Sequence, residues 1–530
     1  MMAQLTAYRG RMFTATSEDA SCVVVAGERI VEVGGDELIA RLPKSVRVVE
    51  VAGLLLPGFV DAHTHIGHSA LGSLGAVDCR VPGVASIADI QDVLRAHAAS
   101  SNGPIVGYGN LFYDRKLEDR RLPNRDDLDE VSRERPVILR CGGHISVLNS
   151  VALAEVQAAD LLGYTGRAVV FRDAEGRPTG AVAEVDEALS LPMFSESVRR
   201  DVVARAIRAH YTANGVTTIG EICESLSSLQ VMRDVATSGG VDVSIRGYVL
   251  VSPALTIDAV VGLCAAYSDR DTDFALDGVK LFVDGGYSSR TAAVSTPYLD
   301  MAPEHAHGHL AMDAGTLRAQ LERARDEGLT AAVHVNGDLA QRALLEALPE
   351  GSRVRAEHAG NFVVDWMTVE GLIRKGVTFV INPGFFNSYI GDEFPRILGS
   401  AASAGRMPVR SLLARGARIA AGADAGLGAE DAHTSPLASI WNLAARKTWS
   451  GEEAEQEEAI DASTALRIVT LNSAEALGAE DQIGSLEPGK YADLVELDRD
   501  PREVAVDEIP SIEVTRVVRR GKLVYGKEWR

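Results

Sequence analysis

The sequence reads as an α/β chain. A (β/α)8 barrel fills the middle, about 57–482, and a small β-sandwich is built from the two ends, 1–56 and 483–530. Three features lead to that class. The middle alternates strand and helix in regular order, the mark of parallel strands with covering helices. Both ends carry short apolar runs between turns, with no helix long enough to cover them. Polar residues recur where successive apolar strands of the middle end.

The N-terminal CVVVAGERIVEVG gives two strands about Gly27-Glu28, and VRVVEVAGLLL gives one or two more. At the other end LVEL, VTRVVRR and KLVYG are strands, with Arg520-Gly521 as a hairpin turn. Each set lacks a partner, so the two are expected to close one unit. Residues 68–200 form a long excursion expected to build part of the pocket wall. It holds the helix SIADIQDVLRAHAAS, the strands PIVGYGN and RPVILRCGGH, and the helix NSVALAEVQAADLLG, capped by Asn149 or Ser150. A hairpin, VVFRDAEGRPTGAVAE, follows. The helix SESVRRDVVARAIRAHYTANG ends at Gly215 and feeds VTTIGEI. Later units end in VSIRGYVL, FALDGVKLFVDGG, LTAAVHVNGD, RVRAEHAG, VTFVINPG and ARIAAGADAG. With the strand before His63 this makes about eight, the number a closed parallel barrel needs.

The 530 residues carry a formal net charge of −21. That argues against nucleic acid and anionic membrane as partners. Five cysteines (Cys22, Cys79, Cys141, Cys223 and Cys264) show no CxxC spacing. They read as reduced core thiols of a cytoplasmic protein. MMAQLTAYRGRMF lacks a basic region followed by an apolar one, so no signal peptide is expected. No apolar run approaches the ~18 residues of a membrane span.

The chemistry gathers at VAGLLLPGFVDAHTHIG, residues 51–67. Alternate strand residues face one way, so His63 and His65 project together and can hold one divalent metal, Zn²⁺ by default. Lys280, His334, His358 and Asp424 lie at or near the ends of later apolar strands, on the barrel face that carries active sites. A lone histidine there is more often structural; repetition at equivalent places weakens that reading.

The sequence resembles the metal-dependent amidohydrolases, and most closely their amidohydrolase-3 (YtcJ-like) branch. The strongest motifs are PGFVDAHTH and PGKYADLV. GHISVLNS and FRDAEGRPTG point to the branch, and HVNGD and EHAG occur in the family's order. The resemblance implies a metal centre at the mouth of a TIM-like barrel. His63 and His65 match the ligands of the more buried metal, and His334 and His358 those of the more exposed one. Asp424 matches the ligand that also shuttles the proton. Lys280 matches a position where many relatives carry a CO₂-carboxylated lysine bridging two metals. One or two metals per chain, Zn²⁺ first, are therefore expected. Ala423 departs from the Ser or Thr that many relatives carry before the aspartate.

The expected activity is hydrolysis of a C–N bond, amide-type, N-acyl or N-formyl, in a small molecule by a metal-activated hydroxide. Deamination of a ring amidine is the alternative, and a non-catalytic binding or assembly protein the second. Asp61 is open between orienting a ligand and a structural role. His144, Arg290 and Asn382 are candidate substrate contacts, each with a structural reading beside it, and Tyr389 lies in a loop that could line the mouth. The chain is expected as a homo-oligomer, a dimer first.

Overall fold

The computed structural model describes residues 5–17, 19–158, 168–185, 189 and 194–529. Eight parallel strands form one sheet in sequence order. They are β1 (Phe59–Thr64), β2 (Val216–Cys223), β3 (Ser244–Leu250), β4 (Phe274–Phe282), β5 (Thr330–His334), β6 (Arg353–Glu357), β7 (Thr378–Ile381) and β8 (Arg418–Ala421). All are buried along nearly their whole length, as strands covered on both faces must be. This is the TIM-like barrel the alternation predicts.

The seam between β8 and β1 closes just past the strand ends. Asp424 N donates to His63 O at 2.8 Å, and Ala423 N donates to Asp61 Oδ1 at 3.1 Å. The same oxygen accepts from His63 N at 3.0 Å. Asp61 is thus a cross-strand tie, the structural role left open by the sequence. Gly422 permits the approach, since a Cβ there would come within 2.6 Å of His63 Cβ.

Strands from both chain ends share a single seven-stranded sheet. Leu494–Leu497 runs antiparallel between Arg47–Pro57 and Val514–Arg519. VRVVEVAGLLL is one strand, continuing to Pro57. After Gly58 the chain enters β1, so this sheet hands His63 into the barrel. Tyr8, Val25, Val49, Leu55, Leu494, Val518 and Trp529 pack together on it.

The excursion carries a six-stranded sheet with its own apolar clusters, one around Leu94, Val137 and Leu139 and one around Leu148 and Val182. Asn149 is the cap: its Oδ1 accepts from Ala152 N at 2.9 Å. The turn between Val137–Cys141 and Ile145–Leu148 presents His144. The hairpin of Val169–Arg172 and Pro178–Ala183 ends at Glu184. The excursion is stapled to the barrel loops through Glu430, which pairs with Lys116 and accepts from Asn110 Nδ2 at 3.0 Å and Ser388 Oγ at 2.9 Å. The five cysteines are buried and unpaired. Among the described residues no helix is long and apolar enough to cross a membrane.

Deleting residues 483–530 removes the strand between Arg47–Pro57 and its neighbour and bares an apolar edge. We expect a chain that aggregates and shows no cooperative melting. A soluble truncation product with a sharp thermal transition would refute this.

Candidate metal centre

The barrel mouth gathers four imidazoles in a row. Ring centroids lie 5.2 Å apart for His65 and His63, 5.2 Å for His63 and His358, and 4.6 Å for His358 and His334. Each histidine ends or follows a strand, so the barrel's curvature alone brings them together. His63, His358 and Asp424 offer donor atoms all within 4.8 Å of one another. His358 and Asp424 both hold left-handed backbone, φ +71° and +46°. Such conformations cost of order 1–3 kcal/mol and gather at functional sites.

Acceptors behind the rings fix which nitrogen faces the centre. His63 Nδ1 bonds Glu357 Oε2 at 2.6 Å, and His65 Nδ1 bonds Glu224 Oε1. His358 Nδ1 lies 2.8 Å from Asn382 Oδ1. Carboxylate–histidine pairs of this kind orient metal ligands and raise their basicity. They leave the Nε2 atoms of His63 and His65 facing each other at 3.2 Å. Asp424 Oδ1 sits 3.4 and 3.3 Å from those two nitrogens. Such crowding calls for a proton or a cation among the donors: against burial, Asp424 and Glu224 push His65 up to about 9, and the donor set fits a divalent ion in place of that proton.

The electrostatics agree. Burial works to raise Asp424, but His358, His63 and His65 outweigh it and hold the carboxyl well below its usual range. Burial drives His358 down to about 3 against the pull of Asp424. Burial, with His358 and Lys280, takes His334 well below the usual imidazole value. Both rings are therefore neutral, the form that ligates. Lys280 is fully buried and its Nζ has no hydrogen-bond partner. Burial lowers it to about 8, opposed by Glu357 and Asp424.

The other candidates fall in different places. His144 lines the cavity, its ring 5.9 Å from His334, and its Nδ1 meets Glu184 Oε1 at 3.1 Å. Arg290 is turned away: it forks onto Asp300, Nη2 to Oδ2 at 2.7 Å and Nε to Oδ1 at 3.1 Å. It also donates to the carbonyls of Tyr287 and Ser288, which makes it a loop brace rather than a substrate clamp. Asn382 is 1% exposed. Its Oδ1 holds His358 and Asn361 Nδ2, and its Nδ2 donates to Gly422 O at 3.0 Å, so it orients a ring and leaves no atom for substrate. Sequence reasoning missed Glu224, Glu357, His68 and Glu184. Glu224 follows β2 directly and obeys the same strand-end rule as the histidines. Glu357 stands beside His358 in AEHAG, but its partner is His63, far off in the chain.

The cavity over this centre has about 1080 Å³ of empty space, its open mouth included. Leu111, Leu250, Phe282, Phe385 and Leu427 form apolar wall, and the excursion closes one side with His144 and Glu184.

The sequence model of the Amidohydrolase family matches residues 52–525. An N-substituted formamide deformylase of Arthrobacter pascens is 27% identical over 548 aligned positions, covering 98% of this chain and 97% of that protein. The YtcJ protein of Bacillus subtilis (strain 168) is 27% identical, covering 92% and 91%. An uncharacterized metal-dependent hydrolase from Pyrococcus horikoshii OT3 superposes with a TM-score of 0.73 at 23% identity, covering 95% of this chain and 99% of that one. That last likeness is one of fold.

His63→Ala should strip metal from the purified protein, as read by elemental analysis, with the far-UV spectrum unchanged. Glu357→Gln should keep the fold but weaken metal retention against a chelator by about 10–100-fold. Wild-type retention in both variants would overturn the assignment.

Proposed function

The chain belongs to the amidohydrolase family, as a hydrolase of carbon–nitrogen bonds, and from that premise we propose that it cleaves a small N-substituted amide, an N-formyl or short N-acyl amine, at a divalent-metal centre. His63, His65 and Asp424 would hold one ion, with Lys280, His334 and His358 available to a second. Zn²⁺ suits the nitrogen-rich set.

The cavity lining carries the substrate reading. Among the described residues no lysine or arginine lines it, while Glu184, Glu224 and Asp424 do. A substrate carboxylate would find no lysine or arginine partner there. A neutral N-substituent instead meets Leu111, Leu250, Phe282 and Phe385. The formamide named for the Arthrobacter relative has that character.

A bound divalent ion supplies a water acidic enough to attack near neutral pH and polarises the scissile carbonyl. The protein's own groups do the remainder. Glu357 and Glu224 hold His63 and His65 in one tautomer. Asp424 faces both rings and would take the proton of the attacking water and pass it to the leaving nitrogen. The apolar wall keeps bulk water from the reacting atoms.

Lys280 deepens the reading. A buried amine lowered to about 8 is partly neutral at pH 7. The neutral amine is the form that adds CO₂, forming an N–C bond and releasing a proton to solvent. The carboxylate produced suits two cations where an ammonium repels both.

Two measurements test this. Apo-protein rebuilt with Zn²⁺ should take up close to two ions per chain when bicarbonate is present and fewer without it, and Lys280→Ala should lose the second ion. A content near one per chain under both conditions would leave a single-ion centre. Separately, N-isopentylformamide and N-formylleucine differ only by a carboxylate. We expect the uncharged member to have the higher kcat/KM by about 100-fold, the scale of one unpaired charge in a closed site. Preference for N-formylleucine would defeat the substrate reading.

A further inference from the structure

Tyr389 is a buried tyrosine whose hydroxyl the fold leaves unused. It is 8% exposed and lines the cavity beside Asp424. Other buried tyrosines near the mouth spend their hydroxyls on the protein. Tyr211 pairs with Thr64 at 2.5 Å, Tyr287 donates to Asn336 O at 3.2 Å, and Tyr298 donates to Ala292 O at 3.1 Å. No described residue takes the Tyr389 proton. The hydroxyl lines the cavity, so a ligand bound there can accept from it.

The ring is also held with unusual care. It stacks on Phe112 at 4.7 Å and 24°, meets Phe385 at 4.9 Å and lies 6.2 Å from Phe394. Phe112 comes from the excursion and adopts left-handed backbone, φ +49°. Over it lies the guanidinium of Arg290, 5.2 Å from the ring centroid, fixed in turn by Asp300. Tyr389 itself sits on a π-helical turn, Phe386–Ile390. Such turns are rare and frequent at functional sites because they shift the side-chain register. A strained residue, a braced cation and a π turn thus converge on one hydroxyl.

We propose that Tyr389 is a catalytic hydrogen-bond donor: its hydroxyl bonds the substrate's carbonyl oxygen as that oxygen gathers negative charge. The inference rests on the amide-hydrolase reading above. No bond to Tyr389 forms or breaks. The phenol keeps its proton throughout, and its contribution is a fixed dipole aimed where charge develops. The ring clamp matters because such a donor works only if it need not reorganise during the reaction.

Tyr389→Phe keeps the ring and its packing and removes one oxygen. With N-isopentylformamide we expect kcat to fall about 100-fold, with KM nearly constant and with metal content and melting temperature unchanged. A rise in KM at constant kcat, or no change in either, overturns the proposal. The thioformamide analogue gives an independent reading. Sulfur accepts hydrogen bonds poorly, so the penalty of Tyr389→Phe should shrink on it, and an equal penalty on both substrates overturns the proposal. Phe112→Leu leaves the hydroxyl but loosens its ring and should lower kcat by a smaller factor, about tenfold. Retention of full kcat in both variants overturns it too. Wild-type protein inactive on all these amides would remove the hydrolase reading itself, whereas an active wild type with an unaffected Tyr389→Phe removes this inference alone.

Discussion

One buried carboxylate carries much of the site. Glu357, at the end of β6, gives one oxygen to His63 Nδ1 and the other to Arg355 Nε at 2.8 Å. Arg355 is buried, donates to Ala62 O at 2.6 Å and lies 4.3 Å over the Tyr248 ring. Burial would raise Glu357, but Arg355 and His63 together hold it ionised. A lone charge this deep is untenable, and an ion pair there needs further hydrogen bonds to its members. The chain Arg355–Glu357–His63 pairs both Glu357 oxygens, leaves Arg355 Nη1 without a partner, and ties β6 to β1 across the barrel. Orientation of the first imidazole is therefore a property of the barrel interior and not of the loop that follows it.

Much of this was legible in the sequence, because an apolar strand that ends in a polar residue is a local pattern. His63, His65, His334, His358 and Asp424 each announce themselves within a few residues, and so do the strands that carry them. What was hidden is pairing across distance. Glu224 meets His65, Glu357 meets His63, and Asn382 meets His358 only after the barrel has closed. Arg290 shows the same limit from the other side. Its residue type suits a carboxylate ligand, and only the folded loop reveals that Asp300 already occupies it. The seven-stranded sheet was legible as composition at both ends, while its register was not, since the order of strands depends on which edges meet.

The excursion between β1 and β2 does more than decorate the barrel. It supplies His144 and Glu184 to the cavity, Phe112 to the Tyr389 ring, and Lys116 and Asn110 to Glu430 on the loop after β8. The candidate metal donors come from strand ends, which are rigid. The walls that meet a substrate come largely from this inserted sheet and from the loops after β4, β7 and β8. The candidate metal donors and most of the cavity wall thus come from different parts of the chain, as suits a fold on which loops vary over a constant frame.

The sheet shared by the two ends has a consequence for biosynthesis. Pro57 pairs with Leu494, so the strand leading into the metal site acquires its neighbour only after some 437 further residues (494 − 57) have been made. At ribosomal rates that is a wait of roughly 20–90 s. During it an apolar edge, Leu54–Pro57, stands open beside the emerging barrel. Leu5–Met12 pairs along the opposite edge of the same strand and leaves this one open. The C-terminal strands complete the sheet last: until they arrive, the strand that leads into β1 lacks its neighbour.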